Sequence, residues 1–188
     1  MALLPHHADM VGSLLRPARL SEARAAWREG RLDRDELRAI EDEAITDLVR
    51  KEESVGLPAV TDGEFRRDWW HLDFLAELGG IGTQQRERPK DFAGEGDSPP
   101  IPVVVGKVQH DHPIFVDAYS FLHGVAERAI PKITIPGPGM ANLMGGPAAI
   151  DDTAYPDKDK FWDDLVVAYR DEVDALYAAG CRYLQMDD

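Results

Sequence analysis

GCRYLQMDD, residues 180–188, decides how this chain is read. A short apolar run that follows a glycine and closes on two adjacent carboxylates, Asp187 and Asp188, reads as a buried strand that delivers acids to whatever lies at its end. The same construction recurs upstream. ADMVGS (8–13) runs into Gly12 and Ser13, LPAVTDGE (57–64) runs into Asp62 to Glu64, and PKITIPGPG (131–139) breaks into Gly137 to Gly139. Between these runs the apolar spacing changes from strand-like to helical. Leu37, Ile40, Ala44, Leu48 and Val55 recur at helical intervals after Asp33, where Asp33 and Glu36 are placed as a capping box and Gly56 as a C-terminal stop. A second helix is expected over about 115–128. Phe161, Leu165, Tyr169, Val173 and Leu176 mark a third, from about Lys158 to Ala179, closed by Gly180.

Strands alternating with helices predict an α/β protein with a parallel sheet, which can be an open doubly wound sheet or a barrel. No G-x-G-x-x-G follows any of the strands, so a dinucleotide-binding open sheet loses its main sequence signal. Every predicted strand instead ends in polar or Gly/Pro residues, the end at which (β/α)8 TIM barrels build their sites. Four strands with their helices make half of such a barrel, which typically needs about 250 residues. The expectation is therefore that residues 1–188 form the first half of a (β/α)8 barrel, four parallel strands with helices. An excursion is expected at about 79–110, where a Gly-, Pro- and charge-rich stretch precedes a β segment, VVVGKVQ (103–109).

Composition removes several classes of function. The chain has 35 Asp plus Glu against 21 Lys plus Arg, a net charge of -14, so a nucleic-acid or anionic-membrane surface would work against the protein's own field. The single cysteine, Cys181, excludes an internal disulfide and a Cys-rich zinc module built from this chain, and fits a reducing cytoplasm. No apolar stretch approaches the roughly 20 residues of a membrane span, and MALLPHHADM lacks the basic and apolar regions of a signal peptide.

ADMVGSLLRP, VTDGEFRRDWWHLDF, KITIPGPGM and GCRYLQMDD, in that order, resemble the strand-end motifs of the cobalamin-independent methionine synthase family, in particular its short single-barrel bacterial members. The resemblance covers essentially the whole chain and implies a methyltransferase, in which a zinc-bound homocysteine thiolate takes a methyl group. It implies that Gly12 and Ser13 contact the substrate amino acid through backbone and hydroxyl, and that Glu64 and Asp187 hold its ammonium group. It places the zinc ligands, a His and Cys set with a carboxylate, on later strands. This sequence has no H-x-C element, so zinc is expected in the complete enzyme and not on this chain alone, which is then inactive without a complementary C-terminal half. Met10 stands where a histidine is common in the short relatives. GPGMANLM has no tryptophan to stack on a pterin, which leaves the methyl donor open between a folate and a simpler compound.

The chemistry agrees with the resemblance. A substrate ammonium needs anionic partners, and carboxylates in a dry site supply strong charge-assisted hydrogen bonds. The competing role for strand-end acids is capping of the next helix, which is the reading kept for Asp62 and Asp188. Arg16, Asp62, Trp70 and His71 are further candidates for the pocket wall. Arg66 and Arg67 either receive an acidic donor tail or pair with the many carboxylates. His110 and His112 form H-D-H, a weak metal signal, His6 and His7 read as a terminus, and Cys181 reads as a small buried hydrophobe. Phe161, Trp162, Tyr169 and Tyr177 are expected in the core. Two further functions stay open: a non-catalytic half-barrel that binds an amino acid or assembles with a partner or itself, and an alkyltransferase or decarboxylase of the same barrel superfamily.

Overall fold

The computed structural model describes residues 9–85, 100–143 and 145–187. The fold is α/β. The chain divides into two compact units, one made of 1–70, 115–134 and 176–185, the other of 71–114, 135–175 and 186–188.

The first unit is organised by two helices. Its second helix, α2 (Arg34–Ser54), opens on the Asp33 capping box: the Asp33 carboxylate accepts the Glu36 N–H at 2.8 Å and the Glu36 carboxylate accepts the Asp33 N–H at 2.9 Å. The helix ends where Gly56 turns to φ 85°, as the sequence predicts. Leu37, Ile45 and Val49 of α2 pack with Leu20 and Ala23 of α1 (Ala18–Arg28), with Phe65, and with Leu122 of a further helix, Val116–Val125. Val60 joins this core from β1 (Ala59–Val60), which pairs in parallel with a short strand at Ile130–Pro131. α1 was not expected from the sequence, because its only large apolar residues are Leu20 and Trp27 and its buried face includes Arg24.

The second unit begins with α3 (Leu72–Leu75) and an antiparallel hairpin of β2 (Gly79–Gln84) and β3 (Ile101–Gln109). The VVVGKVQ segment thus lies inside β3. With the helix Val116–Val125 of the first unit as α4, the remaining elements of the whole chain are β4 (Ile130–Pro131), β5 (Ile133–Pro136), α5 (Met140–Leu143), a 3-10 turn at Gly146–Ala149, α6 (Lys158–Ala178) and β6 (Leu184–Asp187). Phe161, Leu165 and Tyr169 of α6 are buried, and the Tyr169 ring meets Phe74 at a centroid distance of 5.2 Å. Trp162 and Tyr177 were expected in the core and are exposed instead, because their positions fall on the solvent side of the same helical repeat.

One correction concerns the strands. Residues 9–13 form no strand: Gly12 takes φ 75°, which regular extended backbone cannot accommodate, and the segment is held by side chains and single backbone bonds instead of a ladder. Among the described residues the strands pair as β1 with β4, β2 with β3 and β5 with β6, with no closed barrel. β5 is buried along its whole length, the pattern of a strand covered on both faces.

The capping box gives a direct test of the α2 start. Asp33→Ala is expected to lower stability by about 1 kcal/mol and Asp33→Asn by much less, read as shifts of the urea midpoint at constant slope.

Candidate functional site

The motif TDGEFRR (61–67) leaves β1 as a turn whose backbone is tied by its own side chains. Thr61 Oγ1 accepts the Gly63 N–H at 3.1 Å and Asp62 Oδ1 accepts the Glu64 N–H at 2.9 Å. Asp62 thus acts locally, as an acid that closes a turn. Gly63 and Glu64 then adopt successive left-handed conformations, φ 62° and φ 57°. For glycine this costs little. A Cβ at position 63 would lie 2.7 Å from the Leu48 side chain, so no other residue fits there without movement. For Glu64 it is a strained conformation, and such strain persists only where the surroundings enforce it and often marks a functional position.

The enforced carboxylate is buried, with Glu64 only 1% exposed. Thr134 Oγ1 donates to its Oε1 at 2.9 Å, the Ser13 hydroxyl donates to its Oε2, and the Arg67 guanidinium lies 3.6 Å from Oε1. Arg67 is itself fixed, donating to the carbonyls of Thr134 at 2.7 Å and Trp70 at 3.2 Å and stacking over Phe115 at 4.3 Å. Arg16 donates to the backbone carbonyls of Glu64 and Arg67. Ser13, by contrast, is exposed, so one hydrogen-bond partner of this buried acid faces solvent.

Beneath this turn the Glu52 carboxylate accepts the Thr61 N–H at 3.0 Å. Burial pushes its pKa up to about 7, with the Thr61 hydrogen bonds and Lys132 opposing and Asp62 adding to the rise. Arg24 and Arg66 bind the outer side of the turn: Arg24 bridges Glu41 at 2.9 Å and Asp68, and Arg66 bridges Glu41 at 3.2 Å and Asp42. The pairing role is therefore the one that Arg66 and Arg67 take up.

Of the residues expected in the site, Gly12, Ser13, Arg16, Asp62, Glu64 and Trp70 belong to the first unit. Ser13, Arg16 and Glu64 are in direct contact there. His71 and Asp187 belong to the second unit; His71 is buried, with burial lowering its pKa, and the Asp187 carbonyl accepts the Gly137 N–H at 2.6 Å. Asp188 lies outside the described residues. Sequence reasoning missed Thr134. Its signal was a hydroxyl inside the otherwise apolar run ITIP, where a buried polar side chain needs a partner.

His110 pairs with the buried Glu172 at 2.7 Å and His112 with Glu77 at 3.2 Å, so H-D-H points its two rings at different carboxylates. Among the described residues no three His, Cys, Asp or Glu side chains are grouped to hold a metal ion, and the donor set around Glu64 is hydroxyls and a guanidinium. The site residues described do not fit a zinc ion. Cys181 is buried, and burial raises its pKa.

Residues 7–188 match the model of the cobalamin-independent synthase catalytic domain. The chain is 43% identical to the uncharacterized protein YxjH of Bacillus subtilis over 98% of its own length and 48% of that protein's. It is 27% identical to a methionine synthase of Sulfurisphaera tokodaii, over 100% of its length and 52% of the relative's. A crystal structure from Listeria monocytogenes, provisionally named a vitamin-B12 independent methionine synthase, superimposes with a TM-score of 0.81 at 36% identity, covering 100% of this chain and 53% of that one. The chain thus spans about half the length of these three proteins.

A raised carboxyl pKa has a definite sign in stability. The folded state holds the Glu52 proton up to about pH 7 while the unfolded chain releases it near 4.5, so Glu52 lowers stability progressively as pH rises across that window. Glu52→Gln, which keeps an acceptor for Thr61, is expected to flatten this part of the stability profile, measured by urea unfolding between pH 4.5 and 8.

Proposed function

Because this chain belongs to the cobalamin-independent methionine synthase family, matched through the catalytic domain over residues 7–188, we propose that it supplies the part of a methyltransferase site that grips the amino-acid end of homocysteine. The observation that carries the reading is Glu64: a buried carboxylate, held in a strained left-handed conformation and bonded to the exposed Ser13. A protein that needed only a salt bridge here would have no reason to hold a glutamate at positive φ.

In this reading the substrate ammonium donates to the Glu64 carboxylate. Thr134 and Arg67 fix the carboxylate in place beforehand, so little ordering cost falls on binding. The Ser13 hydroxyl already donates to Glu64 and retains acceptor capacity, so it can take a hydrogen bond from the ammonium while keeping its own. Gly12 leaves the backbone open to close approach, since nothing lies within 4 Å of a Cβ built there. Arg16 holds the Glu64 and Arg67 carbonyls and so stiffens the turn from behind. The role of Asp187 in binding the substrate rests on the resemblance alone and is tested separately, as are pocket-wall roles for Trp70 and His71. Activation of the thiol and delivery of the methyl group fall to residues other than these.

The same reading gives the chain the first half of a (β/α)8 barrel. Its support is the parallel pairing of β1 with β4, the two-sided burial of β5, and alignment over about half of each relative's length. A complementary segment of the barrel, or self-association, would complete it, and the single cysteine suits a cytoplasmic setting. Among the described residues no helix is long and apolar enough to cross a membrane.

Glu64→Gln in the full-length protein should weaken homocysteine binding by about 30-fold to several thousand-fold, the cost of removing one partner from a desolvated charged hydrogen bond, roughly 2–5 kcal/mol. Calorimetric titration with homocysteine and with propanethiol, which lacks the amino-acid group, is the measurement. Equal losses for both thiols would show that Glu64 supports the fold or the thiol end, and the assignment would fall. Asp187→Asn, titrated in the same way, tests the second carboxylate on its own.

A further inference from the structure

Lys132 is the one lysine that is fully buried among the described residues, with 0% exposure. Its place in the chain is between β4 and β5, with its own N–H donating to the Val60 carbonyl at 2.9 Å, so the side chain leaves a rigid sheet position. Its ammonium group has three acceptors: the Asp9 carboxylate at 3.0 Å, the Met10 carbonyl, and the Gln185 side-chain oxygen at 2.9 Å. The Tyr183 hydroxyl donates to the same Asp9 oxygen at 2.5 Å, and its ring lies 5.2 Å from the ammonium. A buried cation is costly to desolvate, and an apolar side chain of similar length would fill the space as well or better. Stability alone therefore gives a weak account of it.

The destination of these bonds gives a better one. Asp9 and Met10 begin the irregular segment that carries Gly12 and Ser13, and this segment has no strand ladder to place it. Downstream it is tied by the Leu14 N–H, which donates to the Gly63 carbonyl at 3.1 Å, and by Arg16 on the Glu64 carbonyl at 2.9 Å. Upstream the ties to this segment are those from Lys132 and Tyr183. Two anchors on the same folded unit thus bracket Gly12 and Ser13.

We infer that Lys132 is a positioning residue for amino-acid binding: through Asp9 and Met10 it fixes the segment that presents Ser13 to Glu64. The inference rests on the proposed role of Ser13 and Glu64. The Asp9 carboxyl titrates below the usual range although partial desolvation opposes this, because Tyr183 and Lys132 both bind its charged form, so the anchor stays ionised over the neutral range.

The test is a double-mutant cycle on the full-length protein, with homocysteine and propanethiol as probes in calorimetric titrations. The variants are Ser13→Ala, Lys132→Met and the pair together, with Glu64→Gln alongside. Lys132→Met is expected to weaken homocysteine binding by about tenfold to a hundredfold, the scale on which a small displacement of a positioned group is felt, and to leave propanethiol binding unchanged. The double variant should bind homocysteine no more than about twofold worse than Lys132→Met alone, because a displaced Ser13 has little left to lose. A lysine that merely stabilised the fold would affect both thiols, or would add its full effect to that of Ser13→Ala, and either result overturns the inference. If Ser13→Ala and Glu64→Gln weaken binding while Lys132→Met does not, the inference fails and the site reading stands. If neither Ser13→Ala nor Glu64→Gln changes homocysteine binding, both fall. Should Lys132→Met not fold, Asp9→Asn combined with Tyr183→Phe loosens the same anchor from its partly exposed side. That variant must then show the same selectivity for homocysteine and the same lack of additivity with Ser13→Ala.

Discussion

Buried backbone that belongs to no helix or ladder must find hydrogen-bond partners elsewhere, and in this protein cationic side chains supply them. Arg16 takes the carbonyls of Glu64 and Arg67, Arg24 takes that of Phe65, and Arg67 takes those of Trp70 and Thr134. Lys132 takes that of Met10. All of these cations serve two irregular stretches, 9–16 and 61–70, or the β5 residue beside them. Those stretches hold Ser13 and Glu64. The arrangement lets backbone of unusual conformation persist in the interior, including the left-handed glutamate, because the polar groups it would otherwise leave bare are paired with charge-assisted bonds.

This use of cations extends to the buried acids of a chain whose net charge is -14. The surplus acids are mostly at the surface, where solvent screens them. The buried acids have been given the buried cations: Glu41 has Arg24 and Arg66, and Glu64 has Arg67. Glu52 shows the other outcome. It accepts hydrogen bonds from Thr61, with Lys132 adding only a weak opposing charge, and burial carries its pKa to about 7. At Glu52 desolvation outweighs the hydrogen bonds that oppose it.

Much of the frame was legible in the sequence because it is local. The Asp33 capping box, the Gly56 stop and the period of α6 are written in neighbouring residues, and the structure places them where the spacing requires. The supposed first strand was not legible. ADMVGS has the composition of a strand, and what prevents one is φ 75° at Gly12 together with Lys132, a partner more than a hundred residues away. α1 escaped for a related reason: its buried face contains Arg24, whose acceptors lie on α2 and in the 61–68 turn. Periodicity counts apolar residues and cannot see a helix that docks through a guanidinium.

The site divides along the same line. Glu64 and Ser13 were visible because they end apolar runs, where a polar residue attracts notice. Thr134 and Lys132 were not, since each sits inside or beside such a run and gains meaning only from what it touches. The residues proposed to meet a substrate are open to reading by their chemistry, whereas the residues that aim them are ordinary in type and special in place. Ser13 cannot aim itself, lying in a segment without a ladder, and Glu64 cannot hold φ 57° unaided. Their precision is inherited from sheet positions at Lys132 and Thr134, two residues apart on one strand region, so a single rigid stretch of backbone sets both the height of the hydroxyl and the angle of the carboxylate.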